Sequence, residues 1–221
     1  MFTRWIFRAT LAAMCLLGWP AAAPADIYYN FESGLGHNFE AIGTRISCLA
    51  FSTLSGKQMR YADINSGWYS VTSDNHKVYG DGEYFVSGDV AAYITDLSDK
   101  AKVAFTIGPA SYFTVGYSSE FPFTVEAYAA SHQLLASVTR PANTKSKGGT
   151  GLTYLTVSRP GIAYVLLHDE GGYWMIDNIS TDAPVPEPSG LLALGSGLAG
   201  LGGVFFRRRP PSPRLRRAGW R

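Results

Sequence analysis

Residues 101–138 read AKVAFTIGPASYFTVGYSSEFPFTVEAYAASHQLLASV. Val103, Phe105 and Ile107 alternate with Lys102, Ala104 and Thr106, and Phe113, Val115 and Tyr117 repeat the pattern. Phe123, Val125 and Ala127 follow Pro122, and Leu134, Ala136 and Val138 resume after a turn at Ala129 to His132. Successive side chains of a strand point to opposite faces, so a period of two sends one apolar row to a core and leaves the other toward solvent. Short strands with turn signals at near-regular spacing mark an antiparallel β-sandwich. Leu152 to Val157, Ile162 to Leu167 and Tyr173 to Ile179 extend the series. Gly80-Asp81-Gly82 and Asp169-Glu170-Gly171-Gly172 read as hairpin turns, and Ser158-Arg159-Pro160-Gly161 as another turn, since glycine supplies positive φ. Asn143 to Gly151 and Ser73 to Gly82 read as exposed loops, the first glycine-rich and mobile. No long helix is expected before Leu191, and there is no fixed-period repeat. The fold expected is all-β, a jelly-roll-like antiparallel sandwich over residues 26–182.

Both ends of the chain carry different signals. After a stiff linker at residues 183–190, Leu191 to Phe206 contains no charged residue and is followed by Arg207, Arg208 and Arg209. At about 1.5 Å per residue a helix from Gly190 to Phe206 spans roughly 25 Å, the thin end of what crosses a bilayer. Gly195, Ala199 and Gly203 stand a turn apart, a small-residue row that lipid tolerates better than water does. Arginines stop transfer and stay cytoplasmic, which places the body of the chain on the opposite side. At the start, Arg4 and Arg8 precede an apolar run from Ala9 to Trp19, and Ala23-Pro24-Ala25 fits a small-x-small cleavage site. Residues 1–25 thus read as a secretory signal peptide cut between Ala25 and Asp26. Cys15 lies inside the apolar run without a lipoprotein pattern before it.

The tail resembles the PEP-CTERM sorting signal of Gram-negative bacteria. Pro186, Glu187 and Pro188 match its tripeptide, Leu191 to Phe206 its transmembrane part, and Arg207 to Arg209 its basic end. The resemblance implies recognition by an exosortase, cleavage at or near the tripeptide, and release from an inner-membrane precursor to the cell surface or extracellular matrix. Such proteins usually belong to bacteria that make an exopolysaccharide. The chain departs from the pattern by continuing to Arg221, so residues 207–221 form a longer basic tail than the family usually has.

Composition narrows the role of the body. The formal charge of +2 comes from arginines at the two ends, whereas the part from Asp26 to Pro184 carries more Asp and Glu than Lys and Arg. An acidic exported domain excludes nucleic acid as a partner, because phosphate binding needs a basic surface. After signal cleavage only Cys48 remains of two cysteines, so no internal disulfide can form, and its apolar setting makes it a buried structural thiol.

A second resemblance lies at the two ends of the domain. Tyr29-Asn30-Phe31-Glu32-Ser33-Gly34 opens it and Tyr173-Trp174-Met175-Ile176-Asp177-Asn178-Ile179 closes it. The pair resembles the first and last strands of jelly-roll modules of the MAM and carbohydrate-binding type, which lie side by side. That implies Glu32 near Asp177, a pair able to hold a structural calcium ion. The alternative is that Asp177 and Asn178 hydrogen-bond backbone. Trp68, Tyr84 and Trp174, with Tyr69 and Tyr173 beside them, are candidate glycan contacts, because aromatic faces stack on sugar rings. The alternative for each is core packing. The sequence has no nucleophile elbow, no His-Glu-x-x-His and no phosphate loop, and His37, His76, His132 and His168 show no ligand spacing. The expected role is a non-catalytic structural or adhesive module in exopolysaccharide or biofilm material. A glycan-active hydrolase or lyase on the same scaffold is the alternative, separable by whether a groove holds two facing carboxylates beside an exposed Trp.

Overall fold

The computed structural model describes residues 26–32 and 37–184. Ala25, the Pro186-Glu187-Pro188 motif, the apolar run 191–206 and the arginines from Arg207 to Arg209 lie outside the described residues. Among the described residues no helix is long and apolar enough to cross a membrane.

Two antiparallel sheets face each other. One is ordered β12-β9-β14-β7-β3, formed by Thr153–Ile162, Ala110–Ser119, Trp174–Thr181, Val90–Ile94 and Met59–Asp63. The other is ordered β11-β10-β13-β8-β2, formed by Leu134–Arg140, Phe123–Tyr128, Tyr164–His168, Ala101–Phe105 and Leu49–Thr53. From β7 onward the chain mostly changes sheet at each strand, so neighbours such as β9 and β14 are far apart in sequence, the winding expected of a jelly roll.

Most of the alternating rows identified in the sequence form the interior, but Ile107 and Leu134 at their ends are exposed. Phe123, Val125 and Ala127 of β10 are fully buried, as are Phe113 and Val115 of β9. Tyr117 of one sheet stacks on Phe123 of the other with ring centroids 4.8 Å apart, and Trp174 meets Phe123 edge-on at 5.4 Å. Such pairs add about 0.5–1.5 kcal/mol beyond the area they bury. Cys48 is a free, buried thiol, as its setting indicates.

Strand β1, Ile27–Tyr29, pairs antiparallel with the end of β14, Ile27 opposite Thr181 and Tyr29 opposite Ile179. The first and last strands therefore lie together, and Tyr28 donates from its hydroxyl to Asn178 Oδ1 at 2.8 Å. The domain reaches past its expected end. Ala183 is buried in the main core, so the linker starts beyond it.

Several turn assignments change. Gly80-Asp81-Gly82 does not join a hairpin: β5 (Val78–Tyr79) and β6 (Tyr84–Val86) flank β4 (Val71–Ser73), antiparallel and parallel to it respectively. The tight turn is at Ser73 to Lys77, where Ser73 and Lys77 pair and His76 sits at positive φ. Asp169 to Gly172 carries the chain from one sheet to the other rather than closing a hairpin. Ser158 to Gly161 is a bulge inside edge strand β12, where Pro160 removes no ladder bond that a neighbour needs. Asn143 to Gly151 is pinned at its start. Asn143 and Thr144 are buried, and the Asn143 amide donates to Tyr117 O at 2.9 Å while its oxygen accepts from Ser119 N at 2.8 Å.

The short sheet β5-β4-β6 covers the outer face of the first large sheet. Ala62, Ala91 and Met175 point outward there and meet Ile64, Val71 and Val86 in a second small core, flanked by Tyr69, Tyr79, Tyr84 and Tyr93.

Candidate functional site: an aromatic cleft and a carboxylate corner

Where the short sheet ends, the large sheet is left partly uncovered. The result is a cleft of about 450 Å³ lined by Trp68, Tyr69, Ser70, Tyr84, Tyr93, Ile94, Thr95, Leu97 and residues 172–175. Trp68, Tyr69, Tyr84 and Tyr173, singled out in the sequence, are in its walls, and Trp174 borders it from the core side. Their positions come from separate elements. Trp68 and Tyr69 follow a 3-10 turn at Ile64–Ser66 that Asp63 caps, its side chain accepting from Asn65 N at 2.9 Å. Tyr84 opens β6, and Tyr173 precedes β14.

Trp68 is 75% exposed and Tyr173 46%, so both present ring surface to solvent. Phe39 braces Trp68 edge-on at 5.9 Å, and Tyr69 stands against Tyr93 at 5.5 Å. Tyr69 is held by its hydroxyl, which donates to Asn38 Oδ1 at 2.8 Å. Trp174 differs from the other two proposed glycan contacts. It is only 3% exposed and packs on Phe123, so its indole belongs to the core, and its buried N–H has no acceptor among the described residues. Period two on β14 sends Trp174 inward and Met175 outward, which strand-end position alone did not reveal.

Gly172 is required where it stands. It has φ +71, and a side chain there would collide with the backbone of Leu97, which packs directly against it in the lining. Asp169 fixes this corner: it accepts from Gly171 N at 2.9 Å, from Gly172 N, and from Ser119 Oγ at 2.8 Å. Burial raises the Tyr84 hydroxyl above the ordinary tyrosine range, and the charges of Glu120, Asp169 and Glu83 add to it.

A second constellation sits near the termini. Glu32, Asp74 and Asp177 converge on four consecutive backbone N–H groups. Ser87 N donates to Asp177 Oδ2 at 2.8 Å and Gly88 N to Asp74 Oδ1 at 2.8 Å. Asp89 N and Val90 N both donate to Glu32 Oε1, at 2.6 and 2.7 Å. Gly88 sits at φ +65 with the Glu32 carboxylate against it, leaving no room for a Cβ. Asp177 and Asn178 form a bulge opposite Gly116, with Asn178 at positive φ and its own N–H bonded to Asp177 Oδ1 at 2.7 Å. Glu32 and Asp177 both accept from the 87–90 backbone, Glu32 from Asp89 N and Val90 N and Asp177 from Ser87 N. Burial lifts the Asp177 carboxyl to about 8; the Ser87 and Asn178 N–H groups oppose the rise, and Glu32 and Asp74 add to it. Burial likewise raises Glu32. Among the described residues, no group of three or more His, Cys, Asp and Glu side chains is arranged to hold a metal ion.

Among solved structures, the K1 cleaved adhesin domain of Lys-gingipain from Porphyromonas gingivalis W83 is 14% identical, covering 72% of this chain and 98% of that one at a TM-score of 0.42. The carbohydrate-binding module CBM6cm-2 of Cellvibrio mixtus lichenase 5A, solved with cellotriose, is 13% identical over 72% and 97% at 0.34. The CBM22-1 xylan-binding domain of Paenibacillus barcinonensis Xyn10C is 10% identical over 75% and 99% at 0.36. Scores and identities this low carry no argument about what this chain binds. No protein-family model and no curated protein sequence matches it.

Proposed function

We propose that this chain is an exported, non-catalytic module that binds glycan in the aromatic cleft and reaches the cell surface or matrix through exosortase sorting. The observation that carries the binding reading is Trp68. Its exposed indole, braced edge-on by Phe39, lines the cleft together with Tyr173 and the neighbouring tyrosines, a contiguous aromatic surface of the kind that marks binding sites. Its neighbours supply hydroxyl groups, and the walls contain no Asp, Glu or His. Paired-carboxylate hydrolysis needs two acids across the substrate, so the cleft supports holding a sugar more than cutting one. No cofactor enters this reading. Glu32, Asp74 and Asp177 serve as acceptors that tie the 87–90 segment to β14, and a structural calcium ion is the competing occupant of that corner.

Residues 26–184 screened on a glycan array and by affinity electrophoresis should bind at least one polysaccharide without releasing reducing sugar. Trp68→Ala should weaken that binding at least tenfold while leaving the melting midpoint within about 2 °C, as an exposed side chain should. Binding equal to wild type would remove the cleft from the function.

The sorting half has its own test. The full chain expressed with and without an exosortase should differ in mass and fraction, the processed form lacking residues C-terminal to the Pro186-Glu187-Pro188 region. An identical inner-membrane product in both strains would leave only a membrane anchor.

A further inference from the structure

The same cleft indicates a ligand class, on the condition that it binds glycan at all. We infer that it selects uncharged sugar rings and turns away anionic ones, such as uronate-containing chains. Two independent features point there. The first is the wall itself, whose side chains are aromatic, aliphatic or hydroxylic, with no Lys or Arg to meet a carboxylate or sulfate. An anion entering it loses hydration and gains no partner, which is the costly case.

The second is the rim. Glu83 precedes Tyr84, Asp96 follows Thr95, and Asp169 anchors Gly172. Glu120 joins them through its backbone, its N–H donating to Tyr173 O at 3.0 Å. Two lysines stand beside these acids, and both are occupied. Lys57 pairs with Asp96 at 2.5 Å, and the Lys145 ammonium donates to Asp81 O at 3.0 Å. The charges of Glu120, Asp169 and Glu83 all act on the Tyr84 hydroxyl in the wall, and Lys145 beside Glu83 already donates to Asp81 O, so this side of the cleft is negative.

Size adds a limit. At about 450 Å³ the cleft is at the lower end of ligand sites, room for roughly one or two sugar rings rather than a long bound chain.

The test titrates residues 26–184 by intrinsic tryptophan fluorescence with three defined probes: a neutral gluco-oligosaccharide mixture, oligogalacturonate and a chitosan oligosaccharide. At 10 mM salt, where charges are felt over about 30 Å, neutral or cationic probes should bind at least tenfold more tightly than oligogalacturonate. The gap should narrow at 0.5 M salt. The double variant Glu83→Gln/Glu120→Gln should narrow it too, with no change in affinity for the neutral probe. Oligogalacturonate binding as tightly as the neutral probe at low salt, or a gap indifferent to both salt and the double variant, overturns the inference while leaving glycan binding intact. If none of the three probes nor any array polysaccharide binds, glycan binding itself fails, a distinguishable result.

Discussion

Replacing Asp177 with alanine is expected to cost roughly 2–6 kcal/mol at pH 5, one of the two largest effects of any single substitution in the domain. The change strands the N–H groups of Ser87 and Asn178, which Asp177 accepts at 2.8 and 2.7 Å. Each buried donor left without an acceptor costs about 1–3 kcal/mol. Asp177 is fully buried, so water cannot replace the lost oxygens. Urea unfolding of residues 26–184 reads the result, and a loss under about 1 kcal/mol would contradict the anchoring role.

The same residue should make stability depend on pH in an unusual direction. Its carboxyl is raised from 3.8 to about 8 in the folded chain, so the native state keeps a proton that the unfolded state releases. Stability is then fully present below about pH 4 and declines as pH rises toward 8, by up to about 1.4 kcal/mol per pH unit. Glu32, also raised, acts in the same sense. Asp74 and Asp89 are lowered, by Gly88 N–H and Lys77 respectively, and act oppositely only in more acidic solution. Melting should thus be higher at pH 5 than at pH 8, with the slope reduced in Asp177→Asn. Millimolar calcium should leave the pH 8 midpoint unchanged. A rise of several degrees, with the pH slope lost, would show that Glu32 and Asp177 hold a cation.

The second large effect is expected at Phe123. It is fully buried, stacked on Tyr117 and edge-on to Trp174, so it joins the two sheets at one point. Phe123→Ala removes those contacts and opens a cavity that strands on either side cannot close, costing about 3–5 kcal/mol. For a domain of this size that is on the order of 10 °C in melting midpoint. Calorimetry would expose the error if the midpoint moved by less than about 3 °C.

The contrast between Phe123 and Trp68 shows how far local pattern reaches. Phe123 alternates with Thr124 and Glu126, and that period alone indicates an inward face. Trp68 lies in Ser66-Gly67-Trp68-Tyr69-Ser70, with no period to read, and only the placement of the short sheet leaves it at a cleft mouth. Tyr93 and Leu97 complete that cleft without having been identified beforehand. Tyr93 alternates within Val90–Ile94, a signal that gives its strand but not what covers its outer face. Trp174 had the right composition and the wrong face.

From its sequence alone this protein reads as all-β, and its resemblance to jelly-roll modules implies that its first and last strands lie together. The first follows from side-chain period and composition, local properties of a chain. The parallel β4–β6 pair, the bulge at Asp177-Asn178, the three carboxylates on the 87–90 backbone and the aromatic cleft were decided only by tertiary structure. Each brings together residues far apart in the chain, such as Ser87 and Asp177, whose meeting depends on which sheet faces pack. No local spacing encodes that choice; it is fixed by the burial of two cores at once.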